Sequence, residues 1–223
     1  TRYKANVGDV LKVGFLKSGA YGYIAFSGGV DVEPILGSRA TYLRAKMGKR
    51  LESGDKVPVG TNYRVPPIDR LPRSLWPTYS NQVEARVILG PNEDHFTENG
   101  IKTFFSSWYT ITPESDRMGY RLDGPKIEHS KLGSDIITDA VPLGTIQVPG
   151  NGLPIIMLAD RQTTGGYAKI GVVIRVDIPK VAQLRPGGKV KFKQVSVKEA
   201  HELLIKRERT LALIKKMIYG KAI

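Results

Sequence analysis

Between Gly152 and Asp177 the chain reads GLPIIMLADRQTTGGYAKIGVVIRVD, and this stretch constrains the fold more than any other. Its opening apolar run, Leu153 to Ala159, is long enough for a buried strand and too short for a typical globular helix. Ile170, Val172, Ile174 and Val176 then alternate strictly, the pattern of a half-buried strand. Between the two lies Asp160-Arg161-Gln162-Thr163-Thr164-Gly165-Gly166-Tyr167, a polar stretch of both charge signs with two glycines free to take positive φ. Two readings stay open. In one, the Gly-Gly pair only reverses the chain in a plain hairpin. In the other, the loop gathers an acid, an arginine, an amide, two hydroxyls and a phenol into a site.

Strand patterns dominate the rest of the chain. Leu11, Val13 and Phe15 fall on one face of a strand over 7–15, and a turn at Ser18-Gly19 leads to a second strand, Tyr21 to Ser27, as in a hairpin. A Gly-Asp step followed by alternating apolar residues recurs at 54–59, and GGKVKF at 187–192 is a weaker copy, compatible with duplicated β lobes. Pro66, Pro67, Pro72 and Pro77 mark residues 60–81 as a connection. Alternation resumes from Gln82 to Leu89, Thr97 caps a short helix carrying Ile101, Phe104 and Phe105, and Trp108 to Thr112 reads as a strand. Ser196 and Glu199 form a capping box ahead of an amphipathic helix with Ala200, Leu203, Leu204, Leu211, Ile214 and Ile218 on one face. Such a stripe is expected to pack on its own domain. The expected organisation is mainly β: a β segment with a Pro-rich connection over 1–81, an all-β barrel or sandwich over 82–195, and a C-terminal helix over 196–223. Because the chain enters a strand pattern at once and lacks an initial methionine, it is expected to be the later part of a longer protein.

Composition narrows the chemistry. With no cysteine, disulfides and thiolate nucleophiles are excluded, and a reducing cytoplasm is the expected location. Three dispersed histidines, His95, His129 and His201, offer no zinc-binding spacing, so no metal is expected. No stretch reaches the roughly 20 apolar residues of a membrane helix. Lys and Arg exceed Asp and Glu by 34 to 21, a net charge of +13 that favours anionic partners. The basic residues are spread out, without a nucleic-acid motif, so a solvated surface is the better reading than a nucleic-acid partner.

Five segments carry a resemblance: GYIAFSGGVDVEPILGSRATYLRA (22–45), LESGDKVPVG (51–60), SDRMGYRLDGP (115–125), SDIITDAVPLGTIQVPGNGLPIIMLADRQTTGGYAKI (134–170) and VAQLRPGGKVKF (181–192). Together they resemble the allophanate hydrolase subunit 2 family, also called KipA-type or biotin-dependent carboxyltransferase domains, which includes the C subunit of bacterial 5-oxoprolinase. Gly188 departs from the family's usual Asp, and a segment that usually precedes the position of Thr1 is missing from the match. The resemblance implies that 1–81 is an incomplete first β lobe and 82–195 a cyclophilin-like β-barrel lobe, and it implies association with a KipI-type (allophanate hydrolase subunit 1) sister protein. It implies an ATP-dependent amidohydrolase complex, foremost one opening 5-oxoproline, with a small amide or ureido substrate. The alternatives are a carboxyltransferase taking carboxybiotin from a separate carrier and a regulatory protein that binds a kinase inhibitor.

The residues agree with that chemistry. Asp160 can act as a base or orient a donor. Arg161, Arg117 and Arg121 can each make a two-pronged pair with a carboxylate or phosphate. Gln162, Thr163 and Thr164 offer the neutral donors and acceptors a urea-like group needs. Gly165 and Gly166 allow close approach of backbone N–H groups to an oxyanion, and Tyr167 can stack or donate a proton. Ser38 and Arg39, like Ser134 and Asp135, are weaker candidates of a kind more often found in turns. The competing structural reading pairs Arg117 and Arg121 with Asp116 and Asp123 and leaves Asp160 to fix a hairpin.

Overall fold

A computed structural model describes residues 2–61 and 70–219. Its centre is a closed seven-stranded barrel. In chain order the strands are β1 (Gln82–Leu89), β2 (Trp108–Ile111), β3 (Gly119–Asp123), β4 (Asp135–Ala140), β5 (Thr145–Gln147), β6 (Ile155–Met157), β7 (Thr164–Tyr167), β8 (Lys169–Val173) and β9 (Lys189–Gln194). The helices are α1 (Glu98–Ser106), α2 (Ile178–Ala182) and α3 (Val197–Tyr219). Around the barrel the order is β1-β8-β5-β6-β3-β2-β9, with β9 parallel to β1 closing the ring, while β4 and β7 form a separate two-stranded ribbon.

Alternation builds the core. Val83, Ala85 and Val87 of β1, Tyr109 and Ile111 of β2, Tyr120 and Leu122 of β3, and Val190 and Phe192 of β9 point inward. Burying each such side chain stabilises by about 1.5–3 kcal/mol. The Thr97 hydroxyl accepts from Gly100 N at 2.9 Å and caps α1, which inserts Phe104 to stack on Phe192 at 4.5 Å between centroids. Beneath β1, Asp177 is fully buried; it accepts from Arg86 Nε at 2.7 Å and Nη2 at 2.8 Å, and from Lys180 Nζ at 3.1 Å. Burial alone would push this carboxyl up, but the Arg86 guanidinium and N–H and the Lys180 ammonium together hold it below its ordinary value.

Several expectations change. The apolar run and the alternating run of 152–177 do form strands, β6 and β8, but they do not pair: β5 lies between them. Strict alternation to Val176 also fails. Ile170 and Val173 both reach the main core, the strand ends at Val173, and Ile174 to Asp177 turn into α2. The strands anticipated at 7–15 and 21–27 are not formed; among the described residues up to Gly60, pairing is limited to isolated bridges such as Val30–Val59. An isolated hairpin is marginal without a third strand or a covering layer, and Leu11, Val13 and Phe15 stay exposed. This segment is instead strapped to the barrel by polar contacts. Gln183 Oε1 accepts from Ala20 N and Tyr21 N at 2.7 and 2.9 Å, and Arg185 donates to the carbonyls of Gly19 and Leu16. Gly19 has φ +74°, and a Cβ there would lie 2.5 Å from Gln183 Oε1, so the approach needs glycine. Of the connection at 60–81, Pro66 and Pro67 lie outside the described residues.

Of the expected capping box only the serine half forms, Glu199 N donating to Ser196 Oγ at 3.1 Å, while the Glu199 carboxylate makes no return bond to Ser196 N. Only the first turns of α3 pack on the barrel. Ala200 is buried against Ile174 and Val195, with Leu203 alongside, whereas Leu211 and Leu213 stay exposed. No described helix is long and apolar enough to cross a membrane.

Candidate functional site

Beyond β6 the chain continues the β3–β6 ladder before it bends. Leu158 N donates to Met118 O and Asp160 N to Arg117 O, each at 2.9 Å. This register places Asp160 beside Arg117, and their side chains close into a two-pronged pair, Nε to Oδ2 at 2.9 Å and Nη2 to Oδ1 at 3.0 Å. The carboxylate in turn raises the Arg117 pKa. Arg117 therefore finds Asp160, while Asp116 is taken by Arg44 and by the backbone N–H of Met118. Arg161 turns inward and spends its donors on main chain, Nε to Val141 O at 2.7 Å and Nη1 to Leu158 O at 3.4 Å. It pins the loop against the start of the β4–β5 connection.

Gly165 and Gly166 do not reverse the chain. They lie extended inside β7, paired with β4, and neither has positive φ. Their role is close approach: a Cβ on Gly165 would sit 2.7 Å from Gln147 Nε2 and 3.1 Å from Val141 Cγ2. Gln147 and Lys169 are register partners on β5 and β8. Their neighbours Ile146 and Ile170 point into the core, so both face outward. The ribbon lies over them, leaving each only 2% exposed. Lys169 Nζ donates to Asp139 Oδ2 at 3.2 Å, and Lys169 N donates to Asn92 Oδ1 at 3.2 Å. The Ala140 N–H, aided by the Lys169 ammonium, holds the Asp139 carboxyl below its ordinary value. Gln162 Nε2 donates to Gln147 Oε1 at 3.2 Å, but Gln147 Nε2 and Gln162 Oε1 are buried without a protein partner. An unmet buried polar group costs about 1–3 kcal/mol, so two of them in one amide pair mark this layer. A free donor and a free acceptor are complementary to the C=O and N–H of an amide, and Lys169, ion-paired with Asp139, is the register partner of Gln147 on the neighbouring strand β8.

The remaining residues singled out in the sequence are scattered. Thr163 and Thr164 are exposed on the ribbon, and Tyr167 is 44% exposed, opposite Asp135. Ser134 Oγ donates to Asp135 Oδ1 at 3.4 Å at the start of β4. Ser38 and Arg39 are local: Ser38 Oγ accepts from Ala40 N, and Arg39 clamps Val32 O and Asp31. Arg121 lies on the outer face of β3 and makes no pair with Asp123. Gln147, Lys169, Asp139 and Asn92, which no sequence motif singles out, meet under the ribbon. A lysine amid the apolar residues of AKIGVV is a signal visible in the sequence, but only the ribbon overhead makes it a buried cation.

A family model described as "Carboxyltransferase domain, subdomain A and B" matches residues 1–194. The C subunit of 5-oxoprolinase from Haemophilus influenzae is 34% identical, with 99% of this chain and 71% of the relative aligned. Its counterpart from Escherichia coli, also a 5-oxoprolinase C subunit, is 32% identical over 89% of this chain and 64% of its own length. Among solved structures, the urea carboxylase of Kluyveromyces lactis superposes with a TM-score of 0.76 at 27% identity, covering 89% of this chain and 20% of that one.

Proposed function

This chain belongs to the carboxyltransferase domain family, subdomains A and B, and on that premise we propose that it serves as one subunit of an ATP-dependent amidohydrolase complex of the 5-oxoprolinase type. The observation that carries the reading is its likeness, over nearly its whole length, to the C subunit of 5-oxoprolinase. The Gln147–Gln162 layer supports it. A lactam presents C=O and N–H on the same edge, and this layer holds one free donor and one free acceptor. When a nucleophile adds to the amide carbonyl, negative charge grows on its oxygen, and the Gln147 Nε2–H is the free donor placed to offset it; as the C–N bond then breaks, that charge returns to the C=O and the electron pair leaves with the nitrogen. Arg161 holds the loop through main-chain carbonyls, and the Arg117–Asp160 pair fixes its outer edge. Asp160, Arg161 and Gln162 thus divide into two positioning residues and one that touches substrate.

Neither of this chain's two candidate phosphate cradles is open. Gly165 and Gly166 are committed to a strand, and the start of α1 is closed by Thr97 with Glu98 beside it. We therefore assign ATP, and the docking of any carboxybiotin carrier, to the sister subunits, a KipI-type protein among them. The test combines the full-length protein with its sister subunits and measures 5-oxoproline-dependent ATP hydrolysis. Activity is expected with the full set only and is expected to fall at least tenfold with Gln147→Ala; silence with every subunit present rejects the reading. A carboxyltransferase role is the second reading, favoured by the superposition on urea carboxylase. It predicts that a biotinylated carrier domain binds the complex.

A further inference from the structure

A second polar site lies away from the ribbon. A cleft of about 390 Å³ opens beside the β2–β3 connection and the 151–155 segment, lined by Thr112, Glu114, Arg121, Asp123 and Asn151 over an apolar wall of Leu153 and Ile155. Its volume lies in the range of small-molecule sites, roughly 300–1,000 Å³. Two features set it apart. First, the Thr112 hydroxyl is buried and has no protein partner. Second, Arg121 stays open although two carboxylates line the same cleft. Arg39, Arg44, Arg86 and Arg117 each close onto an aspartate. Arg121 and Asp123 share one face of β3, about 6.6 Å apart along the strand at ~3.3 Å per residue, and stand without a direct pair among the described residues.

We propose that this cleft binds a small zwitterion of the α-amino acid class, its carboxylate on Arg121 and the Thr112 hydroxyl and its ammonium on Glu114 and Asp123. A guanidinium is the side chain best shaped to hold a carboxylate by two parallel bonds. The two acids then face the positive end of the ligand, and Leu153 and Ile155 take its side chain. Each opposite charge in the cleft is answered by the ligand instead of by its neighbour.

The test titrates the isotopically labelled full chain, without ATP or sister subunits, with L-glutamate and with glutarate, which lacks the ammonium, and follows backbone amide shifts. L-glutamate is expected to move residues 112–123 and 151–155 selectively. Arg121→Gln should weaken it at least tenfold, and Thr112→Val about threefold. The double change Glu114→Gln with Asp123→Asn should weaken L-glutamate at least tenfold and leave glutarate no weaker. Arg121 and both acids are at the surface, so these variants keep the fold, and Arg121→Lys should retain part of the affinity. No saturable shift up to about 20 mM ligand, unchanged affinity in Arg121→Gln, or equal affinity for glutarate in the parent protein would each overturn the proposal. Because the measurement needs no turnover, its failure leaves the amidohydrolase reading standing, and inactivity of the complex leaves this one standing.

Discussion

Replacing both Gln147 and Gln162 by leucine should make the protein more stable while abolishing its contribution to turnover. In the native layer one hydrogen bond, Gln162 Nε2 to Gln147 Oε1, is formed, and two buried amide atoms go unmet. A net hydrogen bond contributes about 0.5–1.5 kcal/mol, and each unmet buried group costs about 1–3 kcal/mol. Removing all four amide atoms therefore loses one bond and relieves two penalties, a gain on the order of 2 kcal/mol once some apolar exposure at the half-buried position 162 is allowed for. At about 2–4 °C per kcal/mol for a domain of this size, Tm rises by about 6 °C. Gln147→Leu alone behaves differently: it relieves one unmet donor, strands Gln162 Nε2 instead, and loses the bond, a net cost of about 1 kcal/mol. The sign should thus invert between the single and the double variant, a coupling that a double-mutant cycle in urea resolves. In the reconstituted complex the double variant should lose 5-oxoproline-dependent ATP hydrolysis. If the double variant were instead destabilised by more than about 1 kcal/mol, the two amide atoms would be satisfied in the native protein. The buried amide pair would then hold no unmet donor and acceptor for a ligand, and its proposed role in substrate binding would be refuted.

Other perturbations probe the scaffold that holds this layer. Asp177→Ala strips the buried partner from Arg86 and should cost about 3 kcal/mol in urea denaturation, the low end for a broken buried pair because Arg86 reaches water. Because the folded-state pKa of Asp177 lies below its unfolded value of about 3.9, the pair's stabilisation is fully present above pH ~4 and fades as pH falls through the folded value; urea midpoints between pH 6 and 2.5 should show that limb, and the alanine variant should flatten it. Gly90→Ala would set a Cβ 2.8 Å from Gly171 N and closer still to Lys169 O, both backbone atoms that cannot step aside, so thermal melts should show a loss on the order of 3 kcal/mol. By contrast, changing Arg117 and Asp160 together to Gln and Asn removes a surface pair whose arginine is well exposed and should shift stability by less than about 1 kcal/mol, with any larger effect appearing in turnover.

Much of the barrel was written in local pattern. The alternation of Val83, Ala85 and Val87, the apolar run around Ile156, the Thr97 cap and the Ser196 cap each depend on residues a few positions apart, and each formed as read. The family resemblance likewise rests on contiguous motifs, and a match over residues 1–194 agrees with it. What lay beyond local pattern was partnership. Period-2 spacing says that a strand has two faces but not which strand lies beside it, so β6 and β8 read as one hairpin although β5 parts them. The same gap hides the buried polar layer. Burial of Lys169 and Gln147 comes from a ribbon laid over the barrel, and the fate of each arginine was set by which carboxylate or carbonyl the register brought within about 3 Å. Charge and hydrogen-bonding capacity belong to the residue itself and can be read from sequence; dielectric surroundings and pairing arise between residues distant along the chain, so only tertiary structure decides them.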